Sequence, residues 1–324
     1  MMIKGILIST VAPMSDHIAN AGDRILKSAT SIKVRPDGRV YISGQKQRHA
    51  LFSAVERLNL SDGARGETYV SNGDGVTNKI ENDLRADLGG FLHPRKGSYS
   101  GRRTAPVSAT PAVAREISKI GRDLLIRLTQ NPNVISEDDF EELSEEEKPN
   151  YSKKKQALVT REYSESDEML MNFFIDIGAV SIRKRHHYSE EMHMHTDYFK
   201  HVDEDERKRR IRLTIEATAS LTDYANQARN ATSGEPQKVM IVFDTKLSRK
   251  ACRYFNADEV EQQNILKELQ KRGAIYFFGD DTSADGDNVA EAYEKAYTFL
   301  SENELFDPTG GDAPITTKQY EEKR

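Results

Sequence analysis

The order of elements legible in this chain specifies an α+β fold on the split βαβ plan, the ferredoxin-like or RRM-like architecture. Three observations carry that reading. Residues 3–11 make an apolar opening strand, residues 44–58 an amphipathic helix, and residues 239–243 a short buried strand that follows a second long helix. Between the first helix and the strands after it lies a Gly-, Asn- and Asp-rich stretch, 59–101. A loop that long inside a compact domain is an insertion or a functional element.

Each element has a local cause. The opening stretch is interrupted by Lys4 and Ser9 and lacks a small-residue cleavage site after a basic region, so it reads as a strand and not a signal peptide. A polar loop is expected from there through Lys27. Pro36, Asp37 and Gly38 form a turn into Val40, Tyr41 and Ile42, which makes a hairpin. Ser43 is a good N-cap, and Ala50, Leu51, Ala54, Val55 and Leu58 recur behind it at helical spacing. Beyond the insertion, 102–114 reads as strand with Pro breaks and 116–128 as strand or helix. Residues 172–182 read as a strand partly buried on both faces. Asp203 caps a helix expected to continue to Arg229, with Ile211, Ile215, Leu221 and Ala225 on one side. A helix at 258–271, a strand at 274–278 and a helix at 287–301 complete the order. Val289, Ala292, Tyr293, Ala296, Tyr297 and Leu300 stripe that last helix, a core pattern.

The 324 residues suffice for one large domain or two small ones. Charged residues make up 31%, and no apolar run approaches the ~20 residues of a membrane span. Cys252 is the only cysteine, which excludes an intramolecular disulfide and fits a reducing cytoplasm. CxxC pairs and structural zinc patterns are absent from the sequence.

A net charge of -5 argues against a nucleic-acid partner only if charge is spread evenly, and here it is segregated. Residues 137–147 hold eight carboxylates and no base, read as a flexible surface connection, and the tail after Glu302 is acidic too. Basic clusters fall at 95–103, 153–155, 183–185 and 207–212. Taken singly, each is an ordinary solvated surface.

Four segments add a more specific signal. They are Tyr41-Ile42-Ser43-Gly44-Gln45-Lys46-Gln47-Arg48-His49-Ala50; Ala86-Asp87-Leu88-Gly89-Gly90-Phe91-Leu92; Arg102-Arg103-Thr104-Ala105-Pro106-Val107-Ser108-Ala109-Thr110-Pro111-Ala112; and Tyr224-Ala225-Asn226-Gln227-Ala228-Arg229. In that order they resemble the backbone, crRNA-binding subunit of type I CRISPR effector complexes (Cascade), in the DevR-type branch of I-B or I-A kind. The chain departs from the family pattern at Gly89, where Phe is commoner, and at His49, where a base is frequent.

The resemblance implies a hand-shaped, RAMP-like protein. Its RRM-like palm would be 1–60 with 171–256, its fingers insertion 61–135, its acidic linker and thumb hairpin 136–170. Residues 257–305 would extend the palm and 306–324 would be a flexible tail. One face of the palm sheet would stay free to meet RNA. Copies would stack into a helical filament along one guide crRNA and present it for pairing with a target DNA strand in antiviral defence. The implied partners are the crRNA-processing and 5′-end-capping subunit, the large and small subunits, and a helicase-nuclease recruited on target binding. No cofactor, no catalysis and no membrane are expected, and the setting is cytoplasmic.

The RNA-binding residues so implied are Lys27, Ser43, Gln45, Lys46, Arg48, Arg102, Arg103, Lys154, Lys155, Gln227 and Arg229, with Leu158 and Val159 as a thumb wedge between bases. Ser43 to Arg48 sit at a helix N-terminus, where unpaired N–H groups and the dipole favour an anion. Gln45 and Arg48, a turn apart, would reach one phosphate. The plainer reading there is an N-cap with solvated neighbours. Gln227 and Arg229 would end the second helix, where a base also compensates the dipole.

Rival readings rest on fewer residues. A metal-dependent RNA endonuclease would use a loop aspartate, and Asp16 and Asp23 lie in the early loop, though such residues are ordinarily turns or caps. His186, His187, His193, His195 and His201 crowd one region, and His193 and His195 on a strand would face one side. With no Cys and no spaced carboxylate pair to complete a metal site, a polar loop is the simpler expectation. Asp281 to Asp287 loosely resembles a calcium loop, but Ala292 stands where the bidentate Glu is needed. A transcriptional regulator would need a helix-turn-helix, and none is legible.

Overall fold

The computed structural model describes every residue except 21, 27–28, 74–76, 94–100, 128–132, 154–156 and 323–324, with backbone alone at 24–26, 29, 93, 125–127 and 157–159. It is a mixed α+β fold around one large, mainly antiparallel sheet of ten strands among the described residues. Strand β1 (Gly5–His17) lies between the 20-residue β4 (Ala157–Asp176) and β5 (Lys238–Asp244), antiparallel to both. Short strands β2 (Val107–Ala109) and β3 (Ala112–Ala114) pair with the outer side of β4. Strand β6 (Ile275–Asp280) pairs beyond β5.

Helices α1 (Gly44–Ser61), α2 (Glu204–Ala217) and α4 (Val289–Glu302) supply core residues to one face of this sheet. Period-two alternation decides what they meet. Ile6, Ile8, Ala12 and Met14 of β1 join Met169, Met171, Phe173 and Ile175 of β4 in that core. Their intervening neighbours Leu7, Val11, Leu170 and Phe174, with Met240 and Val242, face the other way. These bury against the turn Lys250–Asn256 and α3 (Glu259–Lys271) through Ala251, Phe255, Ile265 and Leu269. Each such side chain taken from water contributes about 1.5–3 kcal/mol. The second face, expected to lie open for RNA, is therefore covered over its middle.

Local signals hold where they are strong. Ser43 caps α1, accepting from the Lys46 N–H at 3.2 Å. Asn288 and Glu291 form a reciprocal capping box on α4. Gly38 closes the early turn in the left-handed region, φ 83°, where a side chain is strained.

Five expectations are corrected. The acidic run is not a loop throughout: Glu137–Glu141 is a helix capped by Ser136, its carboxylates at the positive dipole end, tied to Lys153 at 2.9 and 3.2 Å. Residues 164–170, assigned to the thumb, are part of β4 and pair with β1. The histidine-rich region is a hairpin, Ile182–Ser189 against Met192–Lys200, forming a two-stranded sheet of its own. Helix α2 stops at Ala217, where Thr218 Oγ1 donates back to the Ile215 carbonyl at 2.6 Å and Asn226 turns left-handed. The tail is docked: Tyr320, in helix Thr317–Glu322, is 7% exposed beneath the guanidiniums of Arg183 and Arg185, 4.3 and 4.4 Å from its ring centre.

Candidate nucleic-acid interface

The four segments singled out in the sequence converge on α1. Tyr41 and Ile42, just before it, pair with Val113 and Ala112. Gly44 lies so close to the 109–111 turn that an added Cβ would stand 3.1 Å from the Ala109 carbonyl, which keeps the helix N-terminus tight against that strand. Arg48 donates to the Gly89 carbonyl at 2.6 Å. Gln47, fully buried, accepts from the Tyr224 hydroxyl at 3.0 Å.

Asp223 organises the exposed rim of this junction. It accepts from Ser53 Oγ at 2.6 Å, lies 2.9 Å from His49 Nε2 and 4.0 Å from Lys46 Nζ. Burial alone would raise its pKa, but the Ser53 bond and the Lys46 charge hold it below the usual carboxylate value. Partial burial lowers the Lys46 ammonium, and Asp223 works in the opposite direction. The Lys46 cation beside the helix N-terminus therefore already has a counter-charge.

A second junction lies wholly inside. Asp87, with no exposure, takes Arg103 Nη2 at 2.5 Å, Arg210 Nη1 at 2.7 Å and Ser181 Oγ at 2.6 Å. Burial pushes its carboxyl up, and the two guanidiniums and the hydroxyl more than offset that, leaving it below the ordinary value. Arg103 also donates to the carbonyls of Asp87, Ala179 and Ile182. Arg207, equally buried, holds the Ile177, Val180 and Phe306 carbonyls.

These placements sort the expected RNA contacts. Ser43, Gln45 and Lys46 sit on the first turn of α1, Gln45 exposed and the other two half-buried. Arg102 is exposed on the short strand Gly101–Arg103, and Arg229 is exposed on the loop after α2. Arg103, by contrast, is consumed by the buried junction, and Arg48 by Gly89. Burial and the neighbouring Arg85 lower the Arg48 guanidinium, and its Nη2 is turned to the Gly89 carbonyl. Gln227 clamps its own turn, bonding Thr232 through both N–H and C=O, and lies beyond the end of α2. Lys27, Lys154 and Lys155 lie outside the described residues. Leu158 and Val159 are placed by backbone only, opposite Ile126 and Leu125. Two basic clusters, 183–185 and 207–212, prove partly internal: Arg183, Arg207 and Arg210 are buried.

Sequence reasoning missed the hairpin at 182–200. Its tip exposes Tyr188, Met192 and Met194, each more than 60% exposed. A register shift beside His187 puts His187 opposite His195 and Tyr188 opposite His193. That irregularity sends His193 and His195 to opposite faces, against the expectation that they share one. Asp16 is not in a loop but near the end of β1, left-handed at φ 47° and exposed, while Asp23 pairs with Lys33 at 3.4 Å. Among the described residues neither joins a cluster of metal-ligating side chains. No described helix is long and apolar enough to cross a membrane.

Comparison with known proteins accounts for this convergence. No curated protein matches the chain by sequence. A solved chain from a "CRISPR RNA-guided surveillance complex" shares the fold at TM-score 0.52 and 13% identity, covering 91% of this chain and 99% of its own. Another, from such a complex in a pre-nicking state, has TM-score 0.47 and 11% identity over 91% and 99%. The family model described as "CRISPR-associated negative auto-regulator DevR/Csa2" matches residues 37–246, a span that contains all four converging segments. The chain belongs to the CRISPR-associated negative auto-regulator DevR/Csa2 family.

Proposed function

We propose that the chain is a backbone subunit of a type I CRISPR RNA-guided effector complex, holding guide RNA by its sugar-phosphate chain without reading sequence. The observation that carries this is the junction at the α1 N-terminus. There a capped helix start, exposed Gln45 and half-buried Lys46 are locked beside the 222–230 loop by the Tyr224–Gln47 bond. A helix N-terminus flanked by cations favours phosphate, and such contacts carry no base information. Its role is structural rather than catalytic.

The sheet supports an RRM-like palm. With β2 and β3 taken as one interrupted strand, the order is β5-β1-β4-β2/β3, all antiparallel, with α1 and α2 on one face. That is the order a split βαβ plan gives. Because the other face is covered by 250–271, RNA is held along the α1 rim and not across the sheet. The thumb is better assigned to the hairpin 182–200 than to 136–170. It stands as a separate two-stranded sheet between β4 and α2, and its tip carries Tyr188, Met192 and Met194 as apolar wedges. Leu158 and Val159 yield that role.

Co-expression of the chain with a guide RNA, followed by purification and imaging, tests this reading. A helical filament that protects RNA at regular intervals is the expected product. Monomeric protein free of RNA would refute it.

A further inference from the structure

The hairpin carries a second constellation that the RNA reading does not use. His187, on one strand, lies opposite His195 on the other, and Asp197 follows two residues along on the same face. The two imidazoles are stacked almost parallel, with ring centres 4.3 Å apart and planes at 6°. Both Nε2 atoms turn toward one carboxylate: His187 Nε2 is 2.8 Å from Asp197 Oδ2 and His195 Nε2 is 3.8 Å from Oδ1. The three donor atoms all lie within 4.8 Å of one another.

We infer that His187, His195 and Asp197 form a binding site for a borderline divalent cation of the zinc class. Bonds of about 2.0–2.2 Å to nitrogen and oxygen around a tetrahedral ion set its donors on the order of 3.3 Å apart. Small rotations about side-chain torsions bring these three atoms to that separation. The backbones need not move, because two hydrogen-bonded strands hold them. Two imidazoles and one carboxylate select Zn2+, Co2+ or Ni2+ over Mg2+ or Ca2+, which prefer oxygen alone. The side chains remain 39, 61 and 45% exposed, so a cation enters from solvent and keeps at least one position for water.

The turn gives the cation something to stabilise. Glu190 and Glu191 connect the strands with φ of 49° and 68°, left-handed geometry that suits Gly or Asn far better than Glu. An ion bridging His187 to His195 and Asp197 clamps the strands a few residues from this strained connection. The opposite face provides an internal control. His186 and His193 are also adjacent, with ring centres 5.5 Å apart, but both bond the Thr196 hydroxyl and have no carboxylate between them.

The test uses chelator-treated full-length protein without RNA, so its result is independent of the RNA reading. Titration with Zn2+ followed by calorimetry, and with Co2+ followed by visible absorption, should give one site per chain with the strong d–d bands of low-coordinate Co2+. His187→Ala, His195→Ala and Asp197→Asn should each weaken binding by about tenfold or more, whereas His186→Ala and His193→Ala leave it within about twofold. Amide exchange at 186–196 should slow on adding Zn2+ in the wild type but not in Asp197→Asn. Absence of stoichiometric binding overturns the inference. So does loss of binding through the opposite-face variants with the three named residues indifferent.

Discussion

The hydroxyl of Tyr224 donates to Oε1 of Gln47 across 177 residues of chain, in a site where both side chains are buried. Burial pushes the Tyr224 phenol up, so it remains a donor at any working pH. This bond fixes the 222–230 loop beside the start of α1. Tyr224→Phe should cost about 1–2 kcal/mol, the cost of leaving a buried acceptor unpaired. Combined with Gln47→Leu it should cost less than the two single changes added, because the partners then vanish together. Urea unfolding of the four proteins reads this directly, and strict additivity would argue against the link.

Adjacent arginines should behave oppositely. Arg103→Ala removes one guanidinium from buried Asp87 and should destabilise by about 3–5 kcal/mol. Arg102→Ala should change stability by less than about 0.5 kcal/mol while lowering the salt slope of RNA binding by about one. Thermal unfolding together with binding at several salt concentrations separates the two.

Asp223 competes with phosphate for Lys46 and His49. Asp223→Asn should tighten single-stranded RNA binding by about two- to fivefold, matching the ~0.5–1 kcal/mol of an exposed ion pair. Unchanged or weaker affinity in a filter-binding titration would mean that this rim does not meet RNA.

His201 makes stability depend on pH. It is 4% exposed, neither ring nitrogen has a hydrogen-bond partner among the described residues, and burial followed by the Arg183 charge lowers its pKa to about 4 from 6.5. The unfolded chain therefore binds the extra proton between those values and the folded chain does not. Stability falls as pH drops below 6.5 and levels off below 4, by at most about 3 kcal/mol. His201→Phe should remove most of that slope. Denaturant midpoints at pH 7 and pH 4.5 check it.

The sequence disclosed what local chemistry controls. Ser43 with its helical stripe, the apolar stripe of α4, and the apolar β1 and β5 are legible because each is specified within a few turns or a strand. What stayed hidden depends on partners distant in sequence. Arg103 and Arg210 look like RNA cations until Asp87 is found between them. The hairpin at 182–200 has polar residues on both faces, so it shows no alternation, and its register shift is invisible without the pairing. The tail looked solvated because its anchors, Tyr320 against Arg183 and Arg185 and Thr317 on Glu81, lie against residues distant in sequence. The placement of Ser43, Gln45 and Lys46 at a helix start was foreseeable, whereas the Asp223 counter-charge beside them and the exposed hairpin tip were not.

The most direct measurement is the affinity of the purified chain for single-stranded RNAs of unrelated sequence, taken across a salt series. The account predicts equal affinities that fall linearly in log–log form with salt, and a shallower slope for a Lys46→Ala, Arg102→Ala, Arg229→Ala triple variant. Affinity confined to one sequence, or insensitive to salt and to those three changes, would contradict it.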